Sequence, residues 1–102
     1  MGIPKMFNRS KKIHEQITPK NWCKGEEWYT GDWDEDNPKQ KIVQACLVGW
    51  IKGVYPYKKA CKVREVVYDA INENNSYGIE DWNDAGKRKF SDVKKLVKKL
   101  DI

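Results

Sequence analysis

The sequence predicts a small all-α domain, an irregular bundle of about four helices with a long acidic-aromatic loop between the first two. Its 102 residues suit one domain, so we treat residues 1–102 as a single helical unit. Apolar residues recur at spacings of three and four in several stretches, which is typical of amphipathic helices. Prolines and capping residues stand where those stretches begin, which strengthens the prediction.

The apolar spacing places the predicted helices at residues 5–17, 38–53, 56–73 and 91–101. The first ends at Thr18-Pro19, because the residue before a proline avoids helical backbone. Asn37-Pro38 is expected to open the second, which has the most regular apolar pattern. Gly49 within that helix costs about 1 kcal/mol relative to alanine, which indicates a close approach by a neighbouring element.

Two connecting segments are predicted to be non-helical. The first, residues 18–37, combines aromatic side chains with acids, and loops this long are uncommon and often functional. The second is an extended stretch over 77–82 followed by a turn over 82–86. Ser91 is expected to cap the last helix, with Asp92 favourable in its first turn.

Charge and composition restrict the class of protein. The net charge is +5, which permits nucleic acids or acidic proteins as partners without requiring them. No apolar run is long enough to span a membrane, and the basic N-terminus does not predict a secretory signal. The three cysteines fit no disulfide scaffold, so we expect a cytoplasmic protein with reduced thiols.

The sequence predicts no metal site, cofactor or catalytic residue. No two cysteines have zinc-ligand spacing, and Asp32-x-Asp34-x-Asp36 lacks the glycine and glutamate of a calcium loop. His14 is the only histidine and lies among charged residues. Cys23 lies near Lys20 and Lys24, which would lower its pKa, but no base is predicted beside it. We therefore expect a protein that is not an enzyme.

Three short elements suggest a resemblance. They are Trp22-Cys23-Lys24-Gly25, Cys46-Leu47-Val48-Gly49, and Trp82-Asn83-Asp84 with Arg88 and the last helix. Over about residues 6–100 the chain resembles a small uncharacterised family of bacterial and phage proteins, known only as a domain of unknown function. The resemblance implies a shared fold, and it implies no activity because none is established for the family.

The leading hypothesis is a non-enzymatic binding protein, and its specific form is an accessory factor of a phage or mobile element that sequesters or inhibits a host component. Its partner would be a protein. Trp28, Tyr29 and Trp33 are the predicted contact residues, since tryptophan and tyrosine dominate binding hot spots.

Two alternatives remain open at this point. In one, Asn83, Asp84 and Arg88 form a polar cluster beside a small-molecule or nucleotide pocket; otherwise Asn83 and Asp84 bond to local backbone. In the other, basic residues near the C-terminus contact nucleic acid, although a solvated helix face is the default for such a run. These residues are Lys87, Lys89, Lys94, Lys95, Lys98 and Lys99.

Overall fold

The computed structural model describes residues 6–29, 44–71 and 78–102. These ranges are mostly helical, as predicted. The helices are α1 (Leu47–Val54), α2 (Tyr57–Ile71), α3 (Ile79–Asp84) and α4 (Phe90–Leu100), and a single 3-10 turn covers Ile13–Glu15. Two short strands, β1 (Trp28–Tyr29) and β2 (Gln44–Ala45), pair antiparallel with Trp28 opposite Ala45.

Helix α1 lies at the centre of the core and packs against both α2 and α3. Most of its residues are apolar and buried, including Leu47, Trp50 and Ile51, and Lys52 is exposed. The Trp50 ring meets Phe7 edge to face with centroids 5.0 Å apart, and its Nε1 donates to the carbonyl of Asn21 at 3.2 Å. Trp50 therefore packs its ring in the core while its N–H remains hydrogen-bonded.

The predicted helix over residues 5–17 is wrong for the part that the structure describes, which contains only the 3-10 turn. Side chains there form hydrogen bonds with backbone groups that would pair with each other in a helix. Gln16 Nε2 donates to the carbonyl of Asn8 at 2.8 Å, and the N–H of Asn8 donates back to Gln16 Oε1 at 2.9 Å. Asn8 Oδ1 also accepts the N–H of Ser10. Such side-chain bonds compete with helix formation.

The predicted second helix begins later than residue 38. Residues 38–43 lie outside the described ranges, β2 follows them, and α1 begins only at Leu47. Cys46 is extended because its N–H donates to the carbonyl of Glu27 at 2.9 Å. A tertiary contact thus sets the start of α1, and the predicted cap at Asn37-Pro38 lies outside the described residues.

Helix α3 replaces the extended segment and turn that the sequence predicts there. Gly78 precedes it, and its first turn carries two acids, which favour the positive end of a helix. Ile79 and Asn83 are one helical turn apart and both are buried, so the inward face of α3 contains a polar side chain. The turn begins only at Ala85.

The two remaining helices lie close to their predicted positions. Helix α2 begins one residue after Pro56 and extends to Ile71, and the predicted end at 72–73 lies outside the described ranges. Helix α4 follows Lys89, not the predicted cap Ser91, and Asp92 Oδ2 accepts the N–H of Lys89 at 2.9 Å. The predicted placement of Asp92 in the first turn is confirmed.

Gly49 confirms the expected close approach to α1. A Cβ built on this residue would lie 2.2 Å from the carbonyl oxygen of Glu27 and 2.9 Å from Cβ of Ala45. The backbone around Glu27 therefore rests directly on the helix, at a distance that no side chain larger than hydrogen permits.

Gly49→Ala is expected to destabilise the fold by about 1–3 kcal/mol, because the added methyl overlaps backbone that cannot move aside. Helix propensity alone would have the opposite effect, a stabilisation of about 1 kcal/mol. Urea unfolding measures the difference. Gly86→Ala is the control, since a Cβ there meets nothing within 4 Å. A Gly49→Ala protein as stable as the wild type would contradict the close contact.

Candidate functional site

The side chain of Asn83 is fully buried and uses all four of its hydrogen-bonding positions. Its Oδ1 accepts from Trp22 Nε1 at 2.7 Å and from the N–H of Leu47 at 3.1 Å. Its Nδ2 donates to the carbonyl of Cys23 at 3.1 Å and to Asp84 Oδ1 at 2.8 Å. We call these five residues the Asn83 network.

The Asn83 network brings together residues of the three short elements that the sequence analysis singled out, those around Trp22, Cys46 and Trp82. Asn83 supplies the oxygen that caps the first N–H of α1, a role usually played by the residue just before a helix. The expected bonds to local backbone are thus replaced mainly by bonds across the fold. Because the chain itself occupies the Asn83 amide, the structural interpretation of this side chain is the better supported one.

Asp84 and the turn after α3 hold the loop that contains Trp22. Asp84 Oδ1 accepts the N–H of Gly25 at 2.9 Å, and Gly25 has a φ of 86°, a conformation that favours glycine. Lys24 Nζ donates to the carbonyl of Ala85 at 2.9 Å. These bonds fix the first half of the segment 22–29, which we call the Trp28 loop.

The second half of the Trp28 loop is fixed on α1. The carbonyl of Glu27 accepts the N–H of Cys46, and its carboxylate pairs with Lys52 Nζ at 2.5 Å. Gly49 provides the space for this approach. The loop is therefore held at both ends by backbone and side-chain bonds.

Trp28 lies at the end of this fixed loop with 40% of its surface exposed. Its backbone pairs with Ala45, so it belongs to the small sheet and not to a free loop. Tyr29 follows in the same strand opposite Gln44. Trp33, the third predicted contact residue, lies outside the described ranges. Trp28 is thus a large aromatic side chain on a fixed backbone with access to solvent.

Arg88, the third member of the predicted polar cluster, stacks on a ring of the core. Its guanidinium carbon lies 3.8 Å from the centroid of Trp82, and its Nε donates to the Trp82 carbonyl at 2.8 Å. This cation–π contact covers the half-buried Trp82. Arg88 therefore shields the edge of the core beside the turn after α3.

The predicted nucleic-acid residues do not all face solvent. Lys94 is half-buried, and its Nζ donates to the carbonyls of His14 and Ile17, so it joins α4 to the 3-10 turn. The other members of the set are exposed; these are Lys87, Lys89, Lys95, Lys98 and Lys99. Lys95, Lys98 and Lys99 lie on the exposed face of α4, Lys87 and Lys89 precede that helix, and Lys94 is a structural contact.

The expected low pKa of Cys23 is wrong. Burial, together with the nearby Cys46, Glu26 and Asp84, raises the pKa of this thiol to about 11. Burial also raises the pKa of the Cys46 thiol. Neither lysine near Cys23 outweighs the loss of solvent, so the thiol is neutral at physiological pH.

Sequence reasoning missed a basic and aromatic surface beside the junction of α1 and α2. It includes Arg9, Lys52, Tyr57 and Arg64 around one cleft. The available signal was the spacing of Tyr57 and Arg64, because residues seven apart lie on the same side of a helix. Arg9 carries no such signal, since it comes from the segment before the 3-10 turn.

Other classes of site are not found in the part of the chain that the structure describes. No group of three or more metal-ligating side chains comes together there, and none of its helices combines the length and apolarity needed to cross a bilayer. All three cysteines are free thiols. No family model, curated protein or solved structure matches this chain.

Asn83→Ala is expected to lower the unfolding free energy by about 3 kcal/mol or more. Each buried partner left without a hydrogen bond costs about 1–3 kcal/mol, and several partners lose theirs together. Chemical denaturation followed by tryptophan fluorescence measures the loss. Asp81→Ala, an exposed position on the same helix, should change stability by less than about 0.5 kcal/mol. Equal effects of both variants would contradict the importance of the network.

Iodoacetamide at about pH 8 is expected to modify Cys61 at least about tenfold faster than Cys23, because Cys61 is exposed while the Cys23 thiol has a pKa of about 11. Because the pKa of Cys23 is higher in the native fold than in the unfolded chain, the neutral thiol contributes to the free energy of unfolding. This contribution is complete below the ordinary pKa of 9.0 and is lost as the pH rises towards 11. Mass spectrometry of peptides follows the labelling, with urea-unfolded protein as the control. Equal native rates would show that Cys23 is not protected.

Proposed function

We propose that this protein is a non-enzymatic binding domain whose partner is a protein, with Trp28 as the anchor of the interface. The observation that carries the proposal is the combination of an exposed ring with a fixed backbone. Trp28 is 40% exposed although the loop before it is bound to α1, to α3 and to the turn after α3.

This combination suits a binding hot spot. Tryptophan is enriched among the residues whose truncation costs an interface most, because its ring buries a large area. A side chain on a fixed loop also loses less conformational freedom on binding than one on a mobile loop. The Asn83 network therefore supports binding indirectly, by holding the loop in place before a partner arrives.

The charge around Trp28 indicates the chemistry of the partner. Glu26 and Glu27 precede it, and between Glu26 and Asp36 the sequence contains six acids and no lysine or arginine. A polar rim around an apolar centre is the usual anatomy of a transient interface. The partner surface that fits best has an apolar pocket for the indole and basic side chains around it.

Cys23 and His14, the two side chains considered for catalysis, do not have the surroundings that a catalytic thiol and its base would need. The Cys23 thiol has a raised pKa, and His14 Nε2 lies 3.1 Å from Asp101 Oδ1. This supports a binding role over an enzymatic one. The more specific expectation, an accessory factor of a phage or mobile element that inhibits a host component, stays a prediction from the sequence.

Trp28→Ala is expected to abolish capture of the partner while the domain stays folded. Proteins enriched from a cell extract on immobilised wild-type protein are quantified by mass spectrometry and compared with the variant. The true partner should fall by at least about tenfold, since a hot-spot residue contributes about 2 kcal/mol or more.

Tyr68→Ala supplies an exposure-matched control, because Tyr68 is an aromatic residue of α2 that is 46% exposed. It should retain the partner. Circular dichroism and thermal melts of both variants complete the test. If Trp28→Ala unfolds the domain, Trp28 belongs to the core; if both variants capture the same proteins, the interface lies elsewhere. Either result would overturn the proposal.

A further inference from the structure

A cleft of about 580 Å³ lies beside the junction of α1 and α2. Its volume falls in the range of about 300–1,000 Å³ that is usual for small-ligand sites. We call it the Tyr57 cleft, after the side chain at its mouth. The residues that bear on its chemistry are Arg9, Lys52, Tyr55, Tyr57 and Arg64.

The Tyr57 cleft is cationic. Among the described residues that line it, three are basic and none is acidic. Arg9 is positioned by a bond from its Nε to the carbonyl of Gly53 at 3.3 Å, and the guanidinium has further N–H donors beyond this one. Lys52 is shared with Glu27 of the Trp28 loop, so the two arginines are the main anion-binding groups. A planar guanidinium matches the geometry of phosphate oxygens.

The same cleft presents an accessible aromatic ring. Tyr57 is 83% exposed, more than any other large hydrophobic residue in the described ranges. It stands in the first turn of α2, two turns before Arg64 on the same side of the helix. Exposed tyrosines beside arginines are the usual platform on which nucleobases stack.

Neighbouring depressions define where an anion can extend. Beyond Arg64 the next depression along α2 is lined by Glu65, Asp69 and Glu80, which repel phosphate. On the other flank of α2, a depression that shares Tyr55 with the cleft is lined by basic residues. These are Lys12, Lys59 and Lys62, with Asp101 paired to Lys12. A chain of phosphates therefore has a favourable path on one side only.

We propose that the Tyr57 cleft binds a nucleoside phosphate, with the phosphate held by Arg9 and Arg64 and the base stacked on Tyr57. The ligand is either a free nucleotide or one unit of a single-stranded nucleic acid, which share this chemistry. The proposal is independent of the protein partner at Trp28. It also differs from the alternative raised by the sequence, which placed nucleic acid on six lysines between Lys87 and Lys99.

Two probes separate the two sources. A fluorescent oligothymidylate of about twelve nucleotides is titrated by anisotropy, and adenosine monophosphate by calorimetry, both at about 50 mM salt. Arg64→Ala and Tyr57→Ala are each expected to weaken the bound probe by at least about fivefold, whereas Tyr57→Phe keeps the ring and retains binding. Binding of the oligonucleotide alone identifies a nucleic-acid segment, and binding of the monophosphate identifies a nucleotide pocket.

Lys98→Ala and Tyr68→Ala are the matched controls. The first removes one positive charge from the exposed face of α4, and the second removes an exposed ring that does not line the cleft. Both should bind the probe as the wild type does. A protein that binds neither the oligonucleotide nor the monophosphate would overturn the proposal. So would a loss with Lys98→Ala equal to that with Arg64→Ala, or a Tyr57→Ala variant with unchanged affinity.

Discussion

The carboxamide of Asn83 joins stretches of chain that are distant in sequence. Its hydrogen bonds form only when those stretches take one particular arrangement. A buried amide is costly unless each of its polar atoms finds a partner. Trp22, Cys23 and Leu47 supply those partners only when the Trp28 loop, the start of α1 and the end of α3 meet at one point. The polar network therefore specifies relative positions that apolar packing alone leaves loosely defined.

The same constraint explains why an irregular loop can hold an exposed ring on a fixed backbone. A loop has many backbone groups that no helix or sheet pairs, and each needs a partner. Here Asp84 accepts the N–H of Gly25, the N–H of Cys46 pairs with the carbonyl of Glu27, and Gly49 lets the loop lie against α1. The Glu27–Lys52 pair then joins the Trp28 loop to a residue that lines the Tyr57 cleft.

Local patterns predicted burial better than they predicted conformation. Ile13 and Ile17 are buried as their spacing indicated, yet the bonds between Asn8 and Gln16 replace the expected helix with a single turn. Helix α3 stands where the sequence predicts an extended stretch and a turn at Trp82, because the helix buries Ile79 on its inward face. The candidate site was predicted in part: exposure of Trp28 agrees with its proposed role, whereas the Tyr57 cleft gathers residues from three separate segments.

The sequence by itself determined the helical class, the extent of α2 and α4, and the close approach at Gly49, because these depend on neighbours within a few turns of chain. Only the tertiary structure decided where α1 begins, why Asn83 is buried and which lysines face solvent. The physical reason is the same in each case: a hydrogen bond or ion pair with a distant residue outweighs a local preference of about 1 kcal/mol or less. The spacing of residues along the chain does not identify such distant partners. Their roles can be assigned only from the tertiary structure, which shows which residues are in contact.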